Sequence, residues 1–125
     1  MPSKEAAHYG ALAERAARER YRLDPEHDGH HDAVTQDGRP VEIKSAMTNR
    51  NSGRQGRFRI FKQYHQRLER AGGCYVFVAY RRAGQGISVV RMRSAAAEDM
   101  TLNWYQGRHH RDSEEVKLGI GHVFR

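Results

Sequence analysis

Residues 31–47 read HDAVTQDGRPVEIKSAM, and the fold turns on how this stretch pairs with itself. DAVT (32–35) and VEIK (41–44) are short β-prone runs, and the Asp37-Gly38 step between them is a hairpin turn signal. Along the second run Val41 and Ile43 share one face, while Glu42 and Lys44 share the other. Opposed residues in a hairpin keep a constant sum of residue numbers. A two-residue loop, Asp37-Gly38, pairs Asp32 with Ile43 and leaves Glu42 on the other face. A three-residue loop, Gln36-Asp37-Gly38 with Gly38 left-handed in a G1 bulge, pairs Thr35 with Arg39 and Asp32 with Glu42. Only an odd loop brings Asp32, Glu42 and Lys44 to one side.

Two carboxylates converging on one point suit a hard divalent cation, Mg2+ or Mn2+, with the Ile43 carbonyl as a candidate third oxygen. A lysine beside such an ion orients or deprotonates a water, or stabilises charge on a phosphate. Metal, water and lysine are the parts of phosphodiester hydrolysis. The plainer alternative is a cross-strand salt bridge, worth about 0.2–1 kcal/mol. Asp28 is a rival first acid, but it lies in a Gly-flanked loop outside the hairpin, so Asp32 is preferred.

Charge points the same way. Twenty-two Lys and Arg against fifteen Asp and Glu give a net charge of +7. The stretch NRNSGRQGRFRIFKQYHQRLER (49–70) carries six Arg, one Lys and a single acid, the clustering expected of a nucleic-acid binder. Arg50, Arg54, Arg57 and Arg59 are the candidate phosphate contacts, because guanidinium forks match phosphate oxygens. Ser45, directly after Lys44, is a further candidate. The 125 residues suit one domain, 1–125, with a modest core. No apolar run approaches the roughly 20 residues of a membrane span, and MPSKEAAHYG lacks the apolar centre of a signal peptide. The single Cys74 lies in the apolar run CYVFVAY and reads as a buried thiol in a reducing cytoplasm. His27, His30 and His31, like His109 and His110, have no Cys partner, which disfavours zinc.

Working outward, residues 4–23 form a helix with Tyr9, Leu12, Ala13, Ala16 and Ala17 as its apolar stripe, stopped by Asp24-Pro25. EHDGHHD is a polar loop. After Lys44, SAMTNRNSGRQG is a second loop, RFRIF a short strand, and KQYHQRLERAGG a helix closed by Gly72-Gly73. CYVFVAYR is a strand buried on both faces, AGQG a turn, ISVVRMR the next strand. The tail holds a polar loop and a last strand, VKLGIGHVF. Phe58, Phe61 and Tyr64 are expected in the core or at a dimer surface. The order α-β-β-β-α-β-β gives an α/β fold, a mixed central sheet flanked by helices.

Asp32, a ten-residue step and Glu42-Ile43-Lys44 on the second strand of a hairpin resemble the PD-(D/E)xK nuclease motif. The Pro of that motif is replaced by His31, and that Pro does no chemistry. YGALAE (9–14) resembles the first-helix signature of the archaeal Holliday-junction-resolvase branch, mapping onto Gly10 and Glu14. RIFKQYHQRLERAGGCYVFVAYR (59–81) followed by ISVVRMR is similar to the resolvase run from helix through glycines into a buried strand. The resemblance spans residues 8–94 and implies a restriction-endonuclease-like core. It also implies a Mg2+- or Mn2+-dependent DNA endonuclease whose products carry a 5′-phosphate. Asp32 and Glu42 would hold the metal, Glu14 would assist it through a water or else pair with Arg18 at i+4, and Lys44 would handle the attacking water. The second helix would present Gln63 or Gln66 to phosphate or water. A chain this small favours reading DNA structure over sequence, and cutting two strands implies a homodimer. A restriction-type or nicking endonuclease is the near rival. A non-catalytic nucleic-acid-binding protein is the rival of another class.

Overall fold

The computed structural model describes residues 4–26, 31–49, 53, 55–106 and 114–124. Helix α1, Lys4–Tyr21, is built of Ala, Leu, Glu and Arg, all strong helix formers. Tyr9, Ala13 and Ala17, four residues apart, are its buried stripe, and the small alanines let the helix lie close to the sheet beneath. It ends where Arg22 turns left-handed at φ 55. The next pair is more than a helix stop. Asp24–Pro25 form strand β1, antiparallel to β2, Ala33–Val34.

Strand β2 pairs antiparallel with β3, Pro40–Met47. The chain then runs through β4, Arg57–Phe61, and helix α2, Lys62–Arg70, before returning as β5, Cys74–Ala83, parallel to β3. Strand β6, Gly86–Ala96, closes the sheet antiparallel to β5. The order is β1-β2-β3-β5-β6, with β3 in the middle. At the α2–β5 junction, Gly72 takes φ +69 and the Gly73 N–H donates to Leu68 O at 2.9 Å. A Cβ on Gly73 would sit 2.7 Å from Pro40 O and 2.4 Å from Leu68 Cδ1. Close packing of helix on strand therefore requires glycine there.

Alternation sorts the sheet into two cores. Val41, Ile43, Val76, Val78 and Tyr80 pack under α1 with Tyr9, Ala13 and Ala17. Ala46, Tyr75, Phe77 and Ala79 pack on the other face with Phe58, Ile60 and Leu68. Coverage on both sides explains why β5 is almost wholly apolar.

The tail departs from expectation. VKLGIGHVF is not one strand: β8, Glu114–Gly119, stops at Gly119 and Ile120–Val123 form a short helix, α3. Nor does β8 extend the main sheet. It pairs with β4 and with β7, Tyr105–Gln106, in a separate three-stranded sheet ordered β4-β8-β7. Cys74 is half-buried, and burial pushes its thiol up.

Candidate active site

The hairpin register follows from its turn. Thr35 N–H donates to Arg39 O at 2.9 Å, Gly38 N–H to Thr35 O at 3.0 Å, and Gly38 takes φ +87. Three residues separate Thr35 from Arg39, and the ladder continues with Val34 opposite Pro40 and Ala33 opposite Val41. This is the odd loop. Beyond Ala33 the regular ladder ends: the Asp32 N–H donates to Val41 O at 3.0 Å, one residue out of step, while Asp32 Oδ2 accepts the Ile43 N–H at 2.8 Å. The Asp32 carboxylate lies beside Glu42 and lines the same cleft. Amide and carbonyl of one strand residue point to the same edge, so the Ile43 carbonyl also faces the Asp32 side.

Glu42 and Lys44 stand side by side on β3, with Oε1 and Nζ 4.0 Å apart and each side chain 26% exposed. Burial and the Asp32 charge push the Glu42 carboxyl from 4.5 to about 7, against the opposing pull of Lys44. Glu14, reaching in from α1, is likewise raised by burial and by Asp32, while Arg18 works the other way. Arg18 Nη1 lies 3.9 Å from Glu14 Oε2. These groups line a cleft of about 690 Å3. Among the described residues no three His, Cys, Asp or Glu side chains form a metal cage. The cleft offers the Asp32 and Glu42 carboxylates, with Glu14 near enough to feel both acids. Acidic oxygens held together against their own repulsion fit a hard divalent cation and suit zinc poorly.

Comparison with family models matches the chain to the PD-(D/E)XK nuclease superfamily domain over residues 1–125. The chain belongs to this superfamily. Neither the curated proteins nor the solved structures contain a match. The mixed five-stranded sheet flanked by helices is consistent with the restriction-endonuclease-like fold. Membership makes nuclease chemistry on a nucleic acid the activity to be explained. Among the described residues no helix is long and apolar enough to cross a membrane.

On this nuclease domain the remaining candidates are placed unevenly. Ser45 follows Lys44 but alternation turns it to the α1 face, and it does not line the cleft. Gln63 and Gln66 are exposed on α2 and also stay off the cleft wall. Arg57 and Arg59 lie on the outer face of β4, opposite Gly119 and Lys117, and Arg59 Nε sits 3.3 Å from Glu115 Oε2. Arg50, Arg54, Asp28, His27, His30, His109 and His110 lie outside the described residues. Of the three aromatics expected in the core or at a dimer surface, Phe58 is buried, but Phe61 and Tyr64 line the cleft and Tyr64 is 51% exposed. Sequence reasoning assigned no cleft role to Arg18, Glu26 or Tyr64. Arg18 was legible as the i+4 partner of Glu14. Glu26, whose Oε2 lies 3.4 Å from His31 Nε2, is brought in only by the β1–β2 pairing.

Proposed function

We propose that the chain is a Mg2+- or Mn2+-dependent DNA endonuclease that prefers branched DNA, in the manner of a Holliday junction resolvase. The observation that carries the reading is the cleft beside β3, where the Asp32, Glu42 and Lys44 side chains converge. Asp32, Glu42 and the Ile43 carbonyl would hold the cation, with Glu14 holding a water beside it. The cation, when bound, supplies Lewis acidity toward a phosphoryl oxygen and an acidic water. The protein's own groups do the rest. Lys44 orients the attacking water and balances the charge that builds on the phosphoryl oxygens. Water oxygen bonds to phosphorus, the bond to the 3′ oxygen breaks, and the products are a 5′-phosphate and a 3′-hydroxyl. Arg57 and Arg59 on the outer face of β4 hold flanking phosphates. Two cuts in a junction call for two such sites, hence a homodimer.

The test is cleavage of four-way-junction and linear duplex DNA in Mg2+ or Mn2+, with sedimentation to give the oligomeric state. Wild type is expected to cut junctions in preference, and Glu42→Gln and Lys44→Ala to lose at least a hundredfold in rate. If wild type cuts nothing with either ion, the chain is a non-catalytic binder. If it cuts linear duplex at a fixed sequence as readily as junctions, a restriction-type role replaces the resolvase one.

A further inference from the structure

A second cavity, of about 220 Å3, opens beside the cleft and shares His31, Glu42 and Tyr64 with it. Its other wall is Pro40 at the start of β3, Arg67 and Leu68 on α2, and Ala71 capping the end of that helix. Tyr64, Arg67, Leu68 and Ala71 recur at three- and four-residue spacing, so they form one face of the helix. The cavity combines an aromatic ring, a guanidinium and apolar carbon, beside a carboxylate site.

Tyr64 is the element that needs explaining. It is half exposed, so its ring forgoes much of the stabilisation that burial would bring. It is nonetheless held in place. Phe61 meets it edge-on with centroids 6.1 Å apart, and the Arg67 guanidinium lies 5.6 Å from its centroid. A half-exposed ring with a guanidinium over one face leaves the rest of its surface as a stacking platform for a nucleobase. The space is below the roughly 300 Å3 at which drug-sized ligands begin and suits one planar ring system. Continuity with Glu42 selects the occupant: it belongs to a nucleotide whose phosphate lies at the carboxylates. In continuous duplex that base is paired and stacked inside the helix, and only a base turned out of the stack can enter.

We propose that Tyr64, with Arg67 beside it, forms a base pocket next to the carboxylate site, and that the substrate strand presents an unpaired nucleotide adjacent to the scissile phosphate. The proposal rests on the nuclease reading and narrows it to DNA with branch points, flaps or gaps.

The experiment uses the full chain in Ca2+, an oxygen-liganded ion used here to support binding without turnover. Two probes carry 2-aminopurine: a flap duplex with it at the first unpaired position, and a continuous duplex with it paired. Wild type and Tyr64→Phe are expected to quench the flap probe. Tyr64→Ala is expected to leave it bright and to lose ten-fold or more in affinity for it, the scale of one base–aromatic stack. Its loss on the continuous duplex should be several-fold smaller. Melting curves check that the variants fold. The proposal is overturned if Tyr64→Ala quenches like wild type, or weakens both probes equally. Cleavage of the same probes in Mg2+ and Mn2+ separates the two claims. Equal cutting of flap and continuous duplex leaves the nuclease reading standing and removes the base pocket. No cutting of either removes both.

Discussion

Replacing Glu42 by Gln should make the metal-free protein more stable and inactive at once. The Glu42 carboxyl stands at about 7 instead of 4.5 because it is buried beside Asp32. At about 1.4 kcal/mol per tenfold change in acidity, keeping it ionised costs on the order of 3 kcal/mol. A quarter of the side chain meets solvent, so screening leaves about 1–2 kcal/mol to be measured. The sign follows from linkage. A carboxyl raised on folding contributes its stability below the unfolded value near 4.5 and loses it as pH rises through about 7. Glutamine mimics the neutral form at every pH. Urea or thermal unfolding in EDTA should therefore show Glu42→Gln ahead of wild type at pH 8, by roughly 3–6 °C per kcal/mol. At pH 5 the two should be nearly level. A gain of the same size at both pH values, or none at pH 8, would refute the account of Glu42 as a strained, ionised carboxylate.

Mg2+ or Mn2+ should stabilise wild type against unfolding by about 2.7 kcal/mol at a concentration one hundred times the dissociation constant, and so raise its melting temperature. The rise should be larger at pH 8 than at pH 5.5, where protons compete for the carboxylates, and absent in Asp32→Asn; calorimetry with and without EDTA reads it. Gly73→Ala should cost about 1–3 kcal/mol in urea unfolding, because its Cβ would meet the backbone at Pro40 O; an unchanged midpoint would mean the strand can give way. His65 is buried, hydrogen-bonded to Tyr75 at 2.8 Å, and burial holds its imidazole below the usual range against the pull of Glu69. Its contribution is full above about 6.5 and lost as pH falls below that. In the Glu42→Gln background, unfolding free energy should drop between pH 7 and 5, and His65→Gln should flatten the drop.

Much of this was legible because it is local. Gly38 set the loop length, and the loop set the register as far as Ala33 opposite Val41, next to Asp32. The glycines after α2 and the apolar run of β5 announced the helix-to-strand step. What was missed depends on distance or on brevity. Strand β1 is two residues long, too short to carry a period. The partner of β4 is β8, more than fifty residues away, and nothing in RFRIF names it. VKLGIGHVF has strand composition throughout, yet only its first part finds a partner, and the rest closes as α3. Tyr64 looks like core by residue type. Its exposure follows from where α2 sits against the cleft, which no helical period encodes.

The three-residue turn also constrains how this gene can change. Strand β3 is fastened to β5 over seven residue pairs, so a length change at Gln36-Asp37-Gly38 has two outcomes. An added residue that stays in the loop leaves Ala33 opposite Val41 and the site intact. One that instead slips β2 along β3 by a single residue carries Asp32 to the opposite face. Selection at this turn therefore acts on strand register and not on loop length.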